Sequence, residues 1–261
     1  MELSNRLKAV ADMISAGNIA CDAGCDHGYV SIYLIQKNIC PRVIAMDVNE
    51  GPLAQAREHI NAFGLGEYIE TRLSDGVMAL SVGEADSLIL AGMGGRLVIK
   101  ILTEGKEKIS AMKELILQPQ SEIDTVRAYL PRIGYKISEE DMVYEDGKYY
   151  PMMKAMRVSE CDDDTEAGDM AASSQLLSVK SDIVQTAYDR YGELLLQKKH
   201  PVLYQFLLWE QKRDAAVLSA LEQENVQETQ RGQIRRKELE EAEKIRNYAL
   251  RFFDKERDCA L

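Results

Sequence analysis

The residues with the most chemical content are Asp22, Gly24, Asp26 and Gly28, in the run Ile19-Ala20-Cys21-Asp22-Ala23-Gly24-Cys25-Asp26-His27-Gly28-Tyr29-Val30, together with Asp47, which closes Val43-Ile44-Ala45-Met46-Asp47. Each apolar run reads as a buried strand ending on a carboxylate. The first passes at once through two glycines into an apolar helix, whose opening N–H groups face whatever sits at the strand end. Glycine there admits positive φ and close backbone approach. An acid at the end of the second strand of a nucleotide-binding unit meets ribose hydroxyls. Taken singly, these residues could be an ordinary βα turn whose aspartates cap the next helix. Two such strand ends in succession favour a nucleotide-cofactor site.

The missing glycines narrow the cofactor. A dinucleotide site needs G-x-G-x-x-G so that backbone N–H groups can cradle a pyrophosphate, whereas this loop reads Asp22-x-Gly24-x-x-x-Gly28 and keeps acids at 22 and 26. A diphosphate would meet like charge. S-adenosylmethionine carries a sulfonium and an ammonium group and no phosphate, so the acids attract it. The pattern resembles the first motif of Rossmann-like methyltransferases.

The elements that must hold these residues follow from periodicity. Leu3, Leu7, Val10 and Ile14 fall at helical spacing, and Gly17-Asn18 stops that helix before the first strand. Further strands are expected at 68–73, 87–91, 115–118, 136–143 and 149–156, with helical patterns between most of them. This alternation implies an α/β fold with a mainly parallel sheet. Glu145-Asp146-Gly147 leaves no room for a crossover, so the last two strands form an antiparallel hairpin. The domains expected are a catalytic unit at 1–156, an acidic linker at 157–174 and a helical unit at 175–261. In the last, Leu203, Phe206, Leu207, Val217 and Leu221, then Ile234, Ala242, Ile245, Ala249 and Phe252, read as two long amphipathic helices packed antiparallel in coiled-coil fashion, with breaks at Gly192, Pro201 and Gly232.

The chain has 261 residues and a net charge of −11, which gives nucleic-acid binding no general support. From Gln175 onward, however, 15 Lys and Arg balance 15 Asp and Glu, and basic groups gather at Lys198, Lys199, Arg231, Arg235, Arg236 and Lys237. They are candidates for phosphate contact, against the plainer reading of a solvated face with ion pairs to Glu238, Glu240 and Glu241. No run approaches the ~20 apolar residues of a membrane span and no signal peptide is visible, so a cytoplasmic protein is expected. Cys21, Cys25, Cys40, Cys161 and Cys259 form no C-x-x-C pair, which argues against a disulfide framework or zinc site; no metal is expected.

Five blocks carry a family resemblance: Asp22 to Tyr29, Asp47-Val48-Asn49-Glu50-Gly51-Pro52-Leu53, Ser74-Asp75-Gly76, Ala91-Gly92-Met93-Gly94-Gly95 and Leu115-Ile116-Leu117-Gln118-Pro119. In this order they resemble the bacterial tRNA (adenine(22)-N1)-methyltransferases of the TrmK family over residues 3 to 156. The chain departs from the family at Ala23, at Val30-Ser31, where Leu-Pro is common, and at Gln120. The resemblance implies a Rossmann-like class I methyltransferase domain joined to a helical coiled-coil domain, with S-adenosylmethionine as cofactor and tRNA as partner. It implies Asp22 and Gly24 at the methionine end of the cofactor, with Leu7, Ala23, Cys25, Asp26 and His27 nearby. Asp47 would meet the ribose, Val48 the adenine face, and Asp75-Gly76 the adenine edge.

Ala91-Gly92-Met93-Gly94-Gly95 stands where methyltransferases acting on exocyclic base amines carry Asp/Asn-Pro-Pro-aromatic. Its near lack of side chains suits close approach to cofactor and base at Ala91, Gly92 and Met93, although Gly94 and Gly95 could simply be a turn that starts a helix. A ring nitrogen is then the expected target. Adenine N1 attacks with its own lone pair, so orientation and tolerance of the cationic product matter more than a general base. Tyr29 is the first choice for holding the unpaired base by stacking, then Asp26 and His27, each also explicable as a core aromatic, a cap or a satisfied histidine. His59 and His200 are assigned no chemistry. The alternatives are a small-molecule methyltransferase, a scaffold using its helices for a protein partner, and an NAD-dependent oxidoreductase, which the glycine pattern disfavours.

Overall fold

The computed structural model describes residues 1–158, 174–223 and 229–254. The chain divides into two compact units, Met1–Thr165 and Glu166–Leu261. Most of the acidic linker, with Cys161, lies outside the described residues, as does Cys259.

In the first unit, a seven-stranded sheet has the order β3-β2-β1-β4-β5-β7-β6. Its strands are β1 (Ala20–Ala23), β2 (Val43–Asp47), β3 (Ile69–Leu73), β4 (Ser87–Met93), β5 (Glu114–Pro119), β6 (Tyr135–Glu145) and β7 (Lys148–Arg157). Strands β1 to β5 pair in parallel, and β7 runs antiparallel to both β5 and β6. Each strand expected from sequence is present, its ends displaced by at most two residues. The hairpin turns on Asp146 and Gly147, both at positive φ, the backbone that a two-residue connection between twisted strands favours.

β1, β2 and β5 are buried along their whole length, because helices cover both sheet faces. One core layer packs Val10, Ile32, Leu34 and Leu53 against the sheet, and the other packs Val98, Leu102, Ile109 and Val126. The covering helices are α1 (Asn5–Asp12), α2 (Tyr29–Gln36), α3 (Glu50–Ala62), α4 (Gly95–Glu104), α5 (Lys106–Ile109) and α6 (Ile123–Tyr129). Ser4 caps α1 by accepting from Leu7 N, and Asn5 N donates to the Glu145 carboxylate at 2.8 Å, pinning the N-terminal helix to the end of β6. This is the Rossmann-like layout the residues imply, with nucleotide-site loops at the C-terminal ends of the parallel strands, where β1 and β4 part the strand order.

The second unit contains α7 (Ser174–Tyr191), α8 (Glu193–Gln197), α9 (Pro201–Gln223) and α10 (Gln230–Leu250). The sequence pattern predicts two long helices; α10 packs on both α7 and α9, so a third long helix shares the core. Gly192 and Pro201 do stand at helix starts, but Gly232 does not break a helix. It lies in the first turn of α10 and donates its N–H to the Thr229 cap. Ile234, expected in the apolar seam, is 55% exposed. A charged cluster is buried instead: Arg246 on α10 donates to Asp214 at 2.6 Å, while Tyr191 and Arg190 donate to Glu210 at 2.7 and 2.6 Å. Among the described residues, no helix is long and apolar enough to cross a membrane, and no cluster of His, Cys, Asp or Glu could hold a metal ion.

Candidate active site

A cleft of about 470 Å³ opens at the C-terminal ends of β1, β2 and β4. Its size is that of a small-molecule site. It collects Leu7, Asp22, Gly24, Cys25, Asp26, Tyr29, Asp47, Val48, Asp75, Gly76, Ala91, Gly92 and Met93, residues spread over most of the catalytic unit's length. Two expected members stand elsewhere. The Ala23 side chain belongs to the core beneath, and His27 does not line the cleft: its Nε2 lies 3.5 Å from the Asp26 carboxylate.

The β1–α2 loop is built by backbone geometry. Gly24 takes φ +82°, and its N–H and that of Cys25 both donate to the Met46 carbonyl, so the loop bends over the end of β2. Gly28 takes φ +74° as the N-cap of α2, where a Cβ would stand 3.2 Å from Ala56 Cβ on α3. Asp22 is buried, and its carboxylate accepts the Ser31 hydroxyl at 2.7 Å. Burial pushes its carboxyl up to about 6, with the negative charges of Asp47 and Asp26 adding to the rise and Ser31 opposing it. Burial likewise pushes the Cys25 thiol up, so it is an inert wall rather than a nucleophile.

Asp47 accepts backbone N–H groups from Asn49 at 2.9 Å and Asp26 at 3.3 Å, which fixes its carboxylate toward the cleft. Next to it, Val48 is 59% exposed, and Leu97 and Ile101 of α4 also line the cleft, forming an apolar slot. Asp75 closes that slot and pairs with Lys100 at 3.2 Å. Gly76 is held at φ +55° where a Cβ would lie 2.9 Å from Ile101.

After β4 the glycines divide in role. Gly92, at φ +81°, sits in an irregularity of the β4–β5 pairing and lines the cleft beside Met93. Gly94 and Gly95 do not line it. A Cβ on Gly95 would meet the Ser121 carbonyl at 2.4 Å, so this glycine lets α4 start against the loop after β5, the plainer reading of that pair.

Sequence reasoning missed Arg6, Gln120 and His59. Arg6 donates to the Gln118 side chain at 2.9 Å and lies over the Tyr150 ring at 5.2 Å. Among the described residues that line the cleft it alone carries positive charge. It lies at helical spacing from Leu3 and Val10, but its charge made it read as a solvated neighbour of that apolar face. His59, 32 positions from His27 in sequence, accepted no role, yet its Nδ1 sits 3.0 Å from the His27 carbonyl and its ring stacks on Tyr29. Only the packing of α3 on α2 could have announced it.

In the helical unit, Lys198, Lys199, Arg231, Arg235, Arg236 and Lys237 are all exposed. Arg235 pairs with Glu238 at 2.9 Å and Arg236 with Glu240 at 3.0 Å, the intrahelical pairing of the plainer reading.

Residues 3–153 match the family model for a methyltransferase domain. With the sheet order and acid-lined cleft, this makes the first unit a Rossmann-like methyltransferase. A tRNA (adenine(22)-N(1))-methyltransferase from Bacillus subtilis (strain 168) is 32% identical over 202 residues, 77% of this chain and 78% of that protein. The crystal structure of the B. subtilis M1A22 tRNA methyltransferase TrmK is 27% identical with a TM-score of 0.77, covering 95% of this chain and 99% of that one. A Streptococcus pneumoniae candidate tRNA (m1A22) methyltransferase in complex with S-adenosyl-L-methionine is 29% identical with a TM-score of 0.72, covering 94% and 99%. The chain belongs to the tRNA (adenine(22)-N(1))-methyltransferase family.

Proposed function

We propose that this protein transfers a methyl group from S-adenosylmethionine to N1 of adenine 22 in tRNA, giving N1-methyladenosine, with residues 1–156 catalytic and 175–261 gripping the tRNA. Its place of action is the cytoplasm. Beside family membership, the observation that carries the reading is the charge of the cleft: Asp22, Asp26, Asp47 and Asp75 line it together with Arg6, the single cation among its described lining residues. That donor set fits a ligand with a sulfonium, an ammonium and one carboxylate. A dinucleotide's phosphates would face the acids.

When bound, S-adenosylmethionine supplies an electrophilic methyl group, and the methylated base leaves with a positive charge. Asp22 and the Gly24 backbone hold the methionine end, and Arg6 holds its carboxylate. Asp47 takes the ribose hydroxyls with the lone pairs its two backbone donors leave free. Val48, Leu97 and Ile101 enclose the adenine, whose edge meets Asp75 and Gly76.

Tyr29 is 37% exposed at the cleft. A target adenine drawn out of its pairing stacks on this ring, as single bases do on aromatics. The absence of a side chain at Gly92 leaves space for its approach, and Met93 offers an adaptable apolar contact. Asp26, its carboxylate exposed, faces the developing cation. No side chain need remove a proton from N1, so positioning and charge do the catalytic work. The exposed cations just after α8, Lys198 and Lys199, and those of α10 meet tRNA phosphates; the ion pairs of Arg235 and Arg236 are of the kind worth only ~0.3–0.5 kcal/mol and can exchange partners.

The test is transfer of labelled methyl from S-adenosylmethionine to unmodified bacterial tRNA. Incorporation into tRNA that needs no small-molecule acceptor supports the reading. Cofactor binding without transfer to tRNA returns the weight to a small-molecule methyltransferase or a scaffold.

A further inference from the structure

His59 lies on α3, outside the loops that line the cleft, yet it engages both residues on either side of Gly28. Its Nδ1 is 3.0 Å from the His27 carbonyl oxygen. A carbonyl can only accept, so Nδ1 carries the proton and donates it, which fixes the tautomer and the ring plane. The same ring stacks on Tyr29, with centroids 5.3 Å apart and planes inclined by 18°. The His27 ring completes the cluster, 5.5 Å from Tyr29 and 6.1 Å from His59.

Tyr29 needs such support. It is the first residue of α2, and its N-cap, Gly28, makes no side-chain cap bond. Among the described residues, the Tyr29 hydroxyl has no hydrogen-bond partner, so the phenol is held by packing, including the rings of His27 and His59. α3 supplies the wall from one face: Ala56 against Gly28 and, one turn on, His59 against His27 and Tyr29.

We propose that His59 is a positioning residue for methyl transfer: by donating to the His27 carbonyl and stacking on Tyr29, it holds the Tyr29 ring in place for the target adenine. This rests on the reading that Tyr29 stacks that base. His59 itself touches neither cofactor nor base. Its loss therefore acts on the rate of transfer to tRNA and not on cofactor affinity, a separation that general damage to the fold would not produce.

The experiment measures single-turnover methyl transfer to tRNA at saturating S-adenosylmethionine, with cofactor affinity by calorimetry, in a double-mutant cycle. Loss of one aromatic pair and one hydrogen bond corresponds to about a tenfold slower transfer in His59→Ala, with cofactor affinity within about twofold of wild type. His59→Phe keeps the ring and His59→Asn keeps a donor near the Nδ1 position, so each recovers part of the rate. In the Tyr29→Ala background His59→Ala costs nothing further, because the ring it positions is gone. A wild-type rate in His59→Ala, or a full multiplication of the two losses, overturns the proposal while leaving the base-stacking role of Tyr29 intact. A wild-type rate in Tyr29→Ala overturns that role first and the positioning role with it.

Discussion

Asp47, at the end of β2, and Asp26, in the loop after the neighbouring β1, are joined by a hydrogen bond: the Asp26 backbone N–H donates to Asp47 Oδ2 at 3.3 Å, while the Asn49 N–H donates to Oδ1 at 2.9 Å. The acid at the end of β2 thus holds the β1–α2 loop in shape and still has lone pairs for a ligand. Asp47→Asn keeps an acceptor for one backbone donor, places an N–H group against the other and removes the charge, so both functions are weakened. A lost hydrogen bond to a charged group is worth about 1.5–3 kcal/mol, so cofactor affinity is expected to fall about 10- to 100-fold. Calorimetric titration with S-adenosylmethionine checks it. Unchanged affinity would remove Asp47 from the site.

Cofactor binding is expected to depend on pH through Asp22. Its carboxyl, pushed up to about 6 chiefly by burial, is neutral below that pH in the unliganded protein. A cationic ligand prefers the ionised form, so affinity is full above about 6 and falls as pH drops through it, with a proton released on binding near the midpoint. For the unliganded fold the sign is opposite. The native state binds more protons than the unfolded chain between the ordinary carboxylate value and about 6, so this group's contribution to stability is present at low pH and lost as pH rises through that window. Ser31→Ala removes a donor that favours the ionised form and moves the affinity limb to higher pH. Titrations across the window in buffers of different ionisation enthalpy test both statements.

Arg6→Ala is expected to weaken cofactor binding about tenfold or more, the loss of a charge-assisted hydrogen bond, while the transfer rate at saturating cofactor changes little. Arg6→Lys keeps the charge but not the planar fork that bonds Gln118 and covers the Tyr150 ring, so rescue is partial. Initial rates over a range of S-adenosylmethionine concentrations separate KM from kcat. A lower kcat with an unchanged KM would move Arg6 from the cofactor to the RNA.

The helical unit's part is read from salt dependence. Arg231→Ala and Lys237→Ala each remove an exposed cation from α10, and for every tRNA phosphate left without its cation the slope of log affinity against log salt becomes shallower by about 1. Filter binding of tRNA at several salt concentrations measures this. A slope unaltered by both substitutions would place the phosphate-binding cations elsewhere.

The sheet was legible because β1, β2, β4 and β5 are each built on a continuous apolar run, β3 has apolar Ile69 and Leu73 at its ends with polar residues between, and the Asp146-Gly147 turn allowed no alternative to a hairpin. The glycines at 24, 28, 76 and 92 were legible because positive φ selects them by type. Gly92 was already set apart from Gly94 and Gly95 by its place beside Ala91 and Met93, but only packing shows that Gly95 must avoid the Ser121 carbonyl while Gly92 lines the cleft. Arg6, His59 and Arg246 were hidden for a different reason. Their partners, Gln118, His27 and Asp214, lie far along the chain, and a charged residue within an amphipathic pattern reads as solvated until packing shows what covers it. The buried position of Arg246 also shows why the apolar seam of α10 looked irregular.

The most direct measurement is nucleoside analysis of tRNA methylated by the wild-type protein, beside the same tRNA with guanine replacing adenine 22. The expected result is N1-methyladenosine in the first and no methylated nucleoside in the second. Methylation that persists after the replacement, or a product carrying the methyl on an exocyclic nitrogen, would contradict the account.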